Sequence, residues 1–191
     1  MTRMIEEITH YVMERSEAYK REVDDHYDFW NEHIRYVYQE AISLAKRYHA
    51  DETVVALGAL LHDIALIEKV GDRRDHHLNG KILSDQILRS FSCPEDIKDK
   101  VLGCVLHHRS AKNAVHPEEL CVCDADILAH FDNIPMLFHS AFIRNGVPLS
   151  AVREWMRHAL EKDYQDLSDR TKEWFTERYH QIMDIVIGDI F

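Results

Sequence analysis

The residues able to do chemistry in this 191-residue sequence are His33, the adjacent pair His62-Asp63, and Asp126, each on an apolar stretch. The pair is the leading clue, because Val54 to Leu61 before it is apolar on every side, as a helix is when other helices surround it. An ionised carboxylate in such a place is costly unless a cation or several hydrogen bonds compensate it, and the neighbouring imidazole points to a metal. Two imidazoles and two carboxylates form a hard-to-borderline N/O donor set suited to Mn, Mg, Fe, Co, Ni or Zn, with room for water in an octahedral site. Such a water, its pKa lowered by the metal, is a nucleophile at neutral pH.

Plainer roles compete at each position. His62 could face the dipole at a helix C-terminus with Asp63 solvated beside it, and His33 could be a satisfied core histidine. Asp126 competes with Asp124; the Ala-Asp-x-Leu context favours Asp126 and leaves Asp124 as a water-orienting neighbour or a helix-surface carboxylate. Arg73, Arg74, Lys81 and Arg109 lie near predicted site-facing ends, where guanidinium groups suit bidentate phosphate binding, although each also fits a solvated charged loop. Cys121-x-Cys123 has no second cysteine pair, and residues two apart on a helix point in different directions, so it reads as core packing.

The elements that must position these residues all read as helices. An amphipathic helix opens near Thr2, and a second spans about 24–48 with His33 beside its apolar stripe. Asp51 is placed to cap the buried helix that carries His62-Asp63 and runs to Glu68. The stretch KVGDRRDHH then reads as an exposed loop. Helical spacing returns from Leu78 to Phe91, from Pro94 to His108 and from Glu118 to Phe131. Asn133 caps a short helix, Ser150 starts another, and Ser168 starts a last one reaching towards Phe191. Trp155 and Trp174 with Phe175 pack the C-terminal helices, or make a dimer contact if their face is exposed. With no convincing strand, hairpin or repeat, the chain is expected to be all-α, with roughly eight or nine helices.

A hydrophobic content of 46% and no Pro-, Gly- or Ser-rich linker predict one domain over residues 1–191, with a motif-bearing core at about 24–132 and helices 133–191 packed on it. A formal charge of -11, from 34 acidic and 23 basic residues, argues against a nucleic-acid polymer as partner. A small anionic substrate then needs local help from metal or arginine. The four irregularly spaced cysteines fit no disulfide framework, no signal segment opens the chain, and no apolar run approaches membrane-spanning length. A cytoplasmic protein with no membrane partner is therefore expected. Fourteen histidines, clustered near the apolar helices, make metal chemistry worth testing.

In order and approximate spacing, His33, His62-Asp63 and Ala125-Asp126-Ile127-Leu128 match the H…HD…D signature of the HD-domain metal-dependent phosphohydrolase superfamily. The resemblance covers roughly 24–132. It implies a divalent metal held by His33, His62, Asp63 and Asp126 within an all-α bundle, and hydrolysis of phosphate esters of nucleotides or related small molecules. Val105-Leu106-His107-His108 followed by Asp124-Ala125-Asp126-Ile127-Leu128 resembles a later motif of small stand-alone members. Ile64 is followed by Ala65-Leu66, so the Gly and Lys of the HDIGK version are absent, which weakens the carry-over of activity on cyclic dinucleotides. In two-metal relatives extra histidines follow the doublet, and His76 or His77 and His107 or His108 could fill those places, giving one metal or two per chain. The resemblance thus implies a hydrolase of a small phosphorylated substrate; Asp63 and those histidine doublets, together with Arg109 from its position near a site-facing end, are the candidate catalytic groups. Two alternatives are a di-iron HD-type oxygenase and a non-catalytic sensor or interaction domain that the metal stabilises.

Overall fold

Eight consecutive apolar or small residues, Val54 to Leu61, can only be buried if helices surround them on all sides, and this dictates the architecture. The computed structural model describes residues 1–24 and 26–188. Its central helix, α3 (Glu52–Leu61), packs against α1 (Thr2–Glu22), α2 (Arg35–Tyr48), α6 (Glu95–His107) and α7 (Pro117–Asp132). Val54, Val55, Leu57, Leu60 and Leu61 are completely buried, each worth about 1.5–3 kcal/mol. Asp51 caps α3 as expected, accepting from the backbone N–H groups of Thr53 and Val54 at 2.9 and 3.3 Å. Gly58 sets how closely α3 and α6 approach: a Cβ there would stand 2.7 Å from the Cys104 Cβ.

The remaining helices are α4 (Ile64–Ile67), α5 (His76–Ser90), α8 (Ile134–His139), α9 (Val152–Asp166) and α10 (Asp169–Val186), and no strand occurs among the described residues. The all-α expectation holds. α8, α9 and α10 all pack on α7. No described helix is long and apolar enough to cross a membrane. Phe191, towards which the last helix was expected to reach, lies outside the described residues.

Several boundaries differ from the sequence reading, for physical reasons. Within the stretch from Thr53 to Glu68, α3 stops at Leu61, and Asp63 adopts φ -105°, ψ 15° before α4 begins. The second helix begins at Trp30 with a five-residue π turn, Trp30–Ile34, which runs into α2. The charged stretch expected as a loop ends in a 3-10 turn, Arg73–Asp75, capped by the Asp72 carboxylate on the Arg74 N–H at 2.7 Å. That turn starts α5 at His76, so the doublet His76-His77 is helical. Asn133 does not cap α8 with its side chain; Nδ2 instead donates to the Glu32 carbonyl at 2.8 Å, tying α8 to the π turn that carries His33. Ser168 caps α10 by accepting from the Thr171 N–H. All four cysteines are buried and unpaired, in keeping with core packing.

Candidate metal centre

Three histidines around the centre share one local device. His62 Nδ1 lies 2.8 Å from the Ala59 carbonyl, His76 Nδ1 2.8 Å from that of Arg73, and His108 Nδ1 2.7 Å from that of Val105. Each partner is the carbonyl three residues back. A carbonyl can only accept, so each Nδ1 carries a proton and, in the neutral ring, each Nε2 presents a lone pair. His62 is fully buried at the end of α3 and His108 nearly so just past α6, while His76 opens α5.

These lone pairs converge on Asp63. Its Oδ2 lies 3.6 Å from His33 Nε2 and 3.7 Å from His62 Nε2, and its Oδ1 lies 3.2 Å from His76 Nε2 and 3.8 Å from His108 Nε2. Asp126 Oδ1 adds contacts of 3.1 Å to His33 and 3.6 Å to His62. The structure therefore brings His33, His62, Asp63 and Asp126 together, and sets His76 and His108 on the far oxygen of Asp63. His33-His62-Asp63 and Asp63-His76-His108 are each compact enough to hold an ion.

The donors fit divalent metals. His76 Nε2 and His108 Nε2 stand 2.9 Å apart. His33 Nε2 and His62 Nε2 stand 3.1 Å apart. Neighbouring nitrogen ligands at right angles on an ion with bonds of roughly 2.0–2.1 Å are about 3 Å apart, which both pairs match.

Electrostatics prepare the same donor set. Burial opposes the charge on Asp63, yet the imidazoles of His62, His76 and His33 hold its carboxyl well below the usual range. Asp126 is likewise held low against burial, by His33 and His62. Burial pushes the His108 imidazole down to about 4, with His62 adding to the effect, and burial also lowers His33. His76 moves the other way, raised against burial by Asp63. At neutral pH the carboxylates are anionic and His33 and His108 neutral, as metal ligands must be.

The other expected candidates fall elsewhere. His107 Nδ1 pairs with Glu119 at 2.8 Å, and His77 belongs to neither ligand group. Arg73 and Arg109 line the cavity above the centre, Arg109 also donating to the Arg74 carbonyl at 2.8 Å; Arg74 and Lys81 do not line it. Asp124 is neither a water-orienting group nor a surface carboxylate. It is buried and accepts from the Ser168 N–H at 2.9 Å, the Ser168 hydroxyl, and the Thr171 hydroxyl at 2.6 Å, anchoring α10 to α7. Trp174 donates to the Tyr48 hydroxyl at 3.4 Å and Phe175 is fully buried, whereas Trp155 lines the cavity.

That cavity, of about 350 Å³, also holds residues that no motif announces: Tyr27, His130, Arg144, Lys162 and Asp163. His130 stacks on His33, with centroids 5.7 Å apart at 26°, and its Nδ1 lies 2.8 Å from Asp163 Oδ2. Burial works against its charge, but Asp163 prevails and raises the imidazole to about 9, so it is a cation at neutral pH. One signal for it was available: His130 follows Asp126 by one helical turn on α7 and so shares its face.

No solved structure matches the chain. A family model described as the HD domain matches residues 30–130, from the π turn that carries His33 to the His130 that stacks on it. More than half the chain, including every residue of both ligand groups, falls within that match, and the chain belongs to the HD-domain superfamily of metal-dependent phosphohydrolases.

Proposed function

We propose that this protein hydrolyses phosphate esters or anhydrides of a small metabolite, a nucleotide being the leading class, with His33, His62, Asp63 and Asp126 holding one divalent metal and Asp63, His76 and His108 a second. The observation that carries this reading is Asp63, whose two oxygens serve two facing groups of imidazoles at the floor of one cavity. When bound, divalent ions supply Lewis acidity and lower the pKa of water towards neutrality. The chain's own groups do the rest. The His130 cation, fixed by Asp163, and the guanidinium groups of Arg73 and Arg109 face the cavity, where they stabilise charge developing on the phosphoryl oxygens. Phe29, Leu66 and Met136 give the cavity a dry wall. Its volume of about 350 Å³ is near the small end of the roughly 300–1,000 Å³ usual for small-molecule sites, which favours a metabolite over a polymer.

The test is metal content per chain on protein purified without a metal-affinity tag, then phosphate release from a panel of nucleotides and small phosphate esters with Mn, Mg, Co, Ni or Fe added back. Release that Asp63→Ala abolishes supports the proposal. Bound metal without release from any ester refutes it. The second ligand group also favours one other reading, a di-iron oxygenase, which would show iron near two per chain and consume oxygen while releasing no phosphate.

A further inference from the structure

Two π turns occur among the described residues, Trp30–Ile34 and Ser140–Arg144, and both open onto the same cavity. Turns of this kind are uncommon and concentrate at functional sites, because the extra residue redirects a side chain that a regular helix would point elsewhere. The first delivers His33 to the metal centre. The second delivers Arg144, from an element far along the chain and outside the residues that the family shares.

The guanidinium of Arg144 is held but not satisfied. Its Cζ lies 4.0 Å over the ring of Tyr27, which is itself buried, packed edge-on against Phe29 at 5.0 Å and stacked against His139 at 5.2 Å. Yet Nη2 is buried with no hydrogen-bond partner. An unpaired buried donor is destabilising, and one kept over an aromatic ring beside a cavity suits an acceptor that arrives from outside. Tyr27 carries Arg144 on its ring, and both line the same cavity as Asp63.

We propose that Arg144 selects substrates ending in a phosphate monoester or terminal anhydride over phosphodiesters, by donating from Nη2 to a non-bridging phosphoryl oxygen. This rests on the phosphohydrolase reading above. A terminal phosphoryl group has three non-bridging oxygens and two negative charges. Divalent ions held by His33, His62, Asp63, Asp126, His76 and His108 would supply positive charge for part of that dianion, and the guanidinium of Arg144 would supply a donor for a remaining oxygen. A diester has only two such oxygens and one charge, and it would leave Arg144 unpaired.

The experiment compares wild-type, Arg144→Gln and Arg144→Lys full-length protein loaded with Mn. Orthophosphate binding by calorimetry is the first readout, and the ratio of kcat/KM for p-nitrophenyl phosphate to that for bis(p-nitrophenyl) phosphate is the second. Loss of one charge-assisted hydrogen bond should weaken orthophosphate binding by about 10–100-fold in Arg144→Gln and collapse the monoester preference by a similar factor. Arg144→Lys, which keeps the charge and the fold of the shelf, should fall in between. Unchanged orthophosphate affinity and an unchanged ratio in both variants, with at most a lower Tm, would mean that the arginine only braces Tyr27, and the proposal is then wrong while the phosphohydrolase reading stands. A wild-type protein that neither binds orthophosphate nor cleaves either ester removes the underlying reading, and this proposal with it.

Discussion

Asp63→Ala removes the one carboxylate that both ligand groups share, and its effect can be worked out from the distances. Oδ2 serves His33 and His62 at 3.6 and 3.7 Å, while Oδ1 serves His76 and His108 at 3.2 and 3.8 Å. An ion bound only by the folded state and present at 100 times its Kd stabilises that state by about 2.7 kcal/mol. For a chain of this size each kcal/mol moves Tm by roughly 2–4 °C, so each occupied group adds about 5–11 °C and both together about 10–20 °C. Thermal unfolding with and without chelator, alongside metal content by mass spectrometry, reads both quantities. Wild type should carry about two ions and show the full increment, His108→Ala about one ion and half of it, and Asp63→Ala almost none. Two ions retained by Asp63→Ala, or both lost from His108→Ala, would show that Asp63 is not the shared ligand.

Three further outcomes follow from the same geometry. Asp124→Ala, which strips three hydrogen bonds from the junction of α7 and α10, should cost about 2–4 kcal/mol in chemical denaturation yet leave metal content unchanged, whereas Asp126→Ala should lose metal; matching losses in both would contradict the separate roles assigned to them. In the metal-free protein the His130–Asp163 pair raises the imidazole to about 9 from an unfolded value near 6.5. Its contribution of about 3 kcal/mol is therefore complete below pH 6.5 and is lost as pH rises through about 9, and Asp163→Asn should flatten the stability profile across that window. Finally, His76 holds its proton more firmly than a free imidazole while His33 holds it less firmly. Acidification from about pH 8 to pH 6 should thus empty the His76-His108 group first, seen as a fall from two ions to one; simultaneous loss would argue against two distinct groups.

Much of the fold was legible because it rests on local and periodic signals. An all-apolar helix must be surrounded, so α3 could be read from Val54–Leu61, the all-α class from helical spacing along the chain without a strand signal, and Asp51 and Ser168 declare themselves as caps by side-chain type and position. The convergence of His33, His62, Asp63 and Asp126 was legible for a related reason: each sits on an apolar stretch, and burying those stretches together points their polar residues at one place.

Choices between neighbours were not legible, and only the tertiary structure made them. Adjacent residues on a helix point about 100° apart, so whether His76 or His77, and His107 or His108, reaches Asp63 depends on how α5 and α6 are rotated against α3 and α7. No sequence period encodes that rotation. Asp124 and Asp126 likewise face different ways, one to Ser168 and Thr171, the other to His33. The two π turns leave no compositional trace, and Arg144, Asp163 and Trp155 join the cavity from segments distant along the chain. Residue types and their period determined which helices form and which polar groups are buried; long-range packing alone decided which of those groups meet.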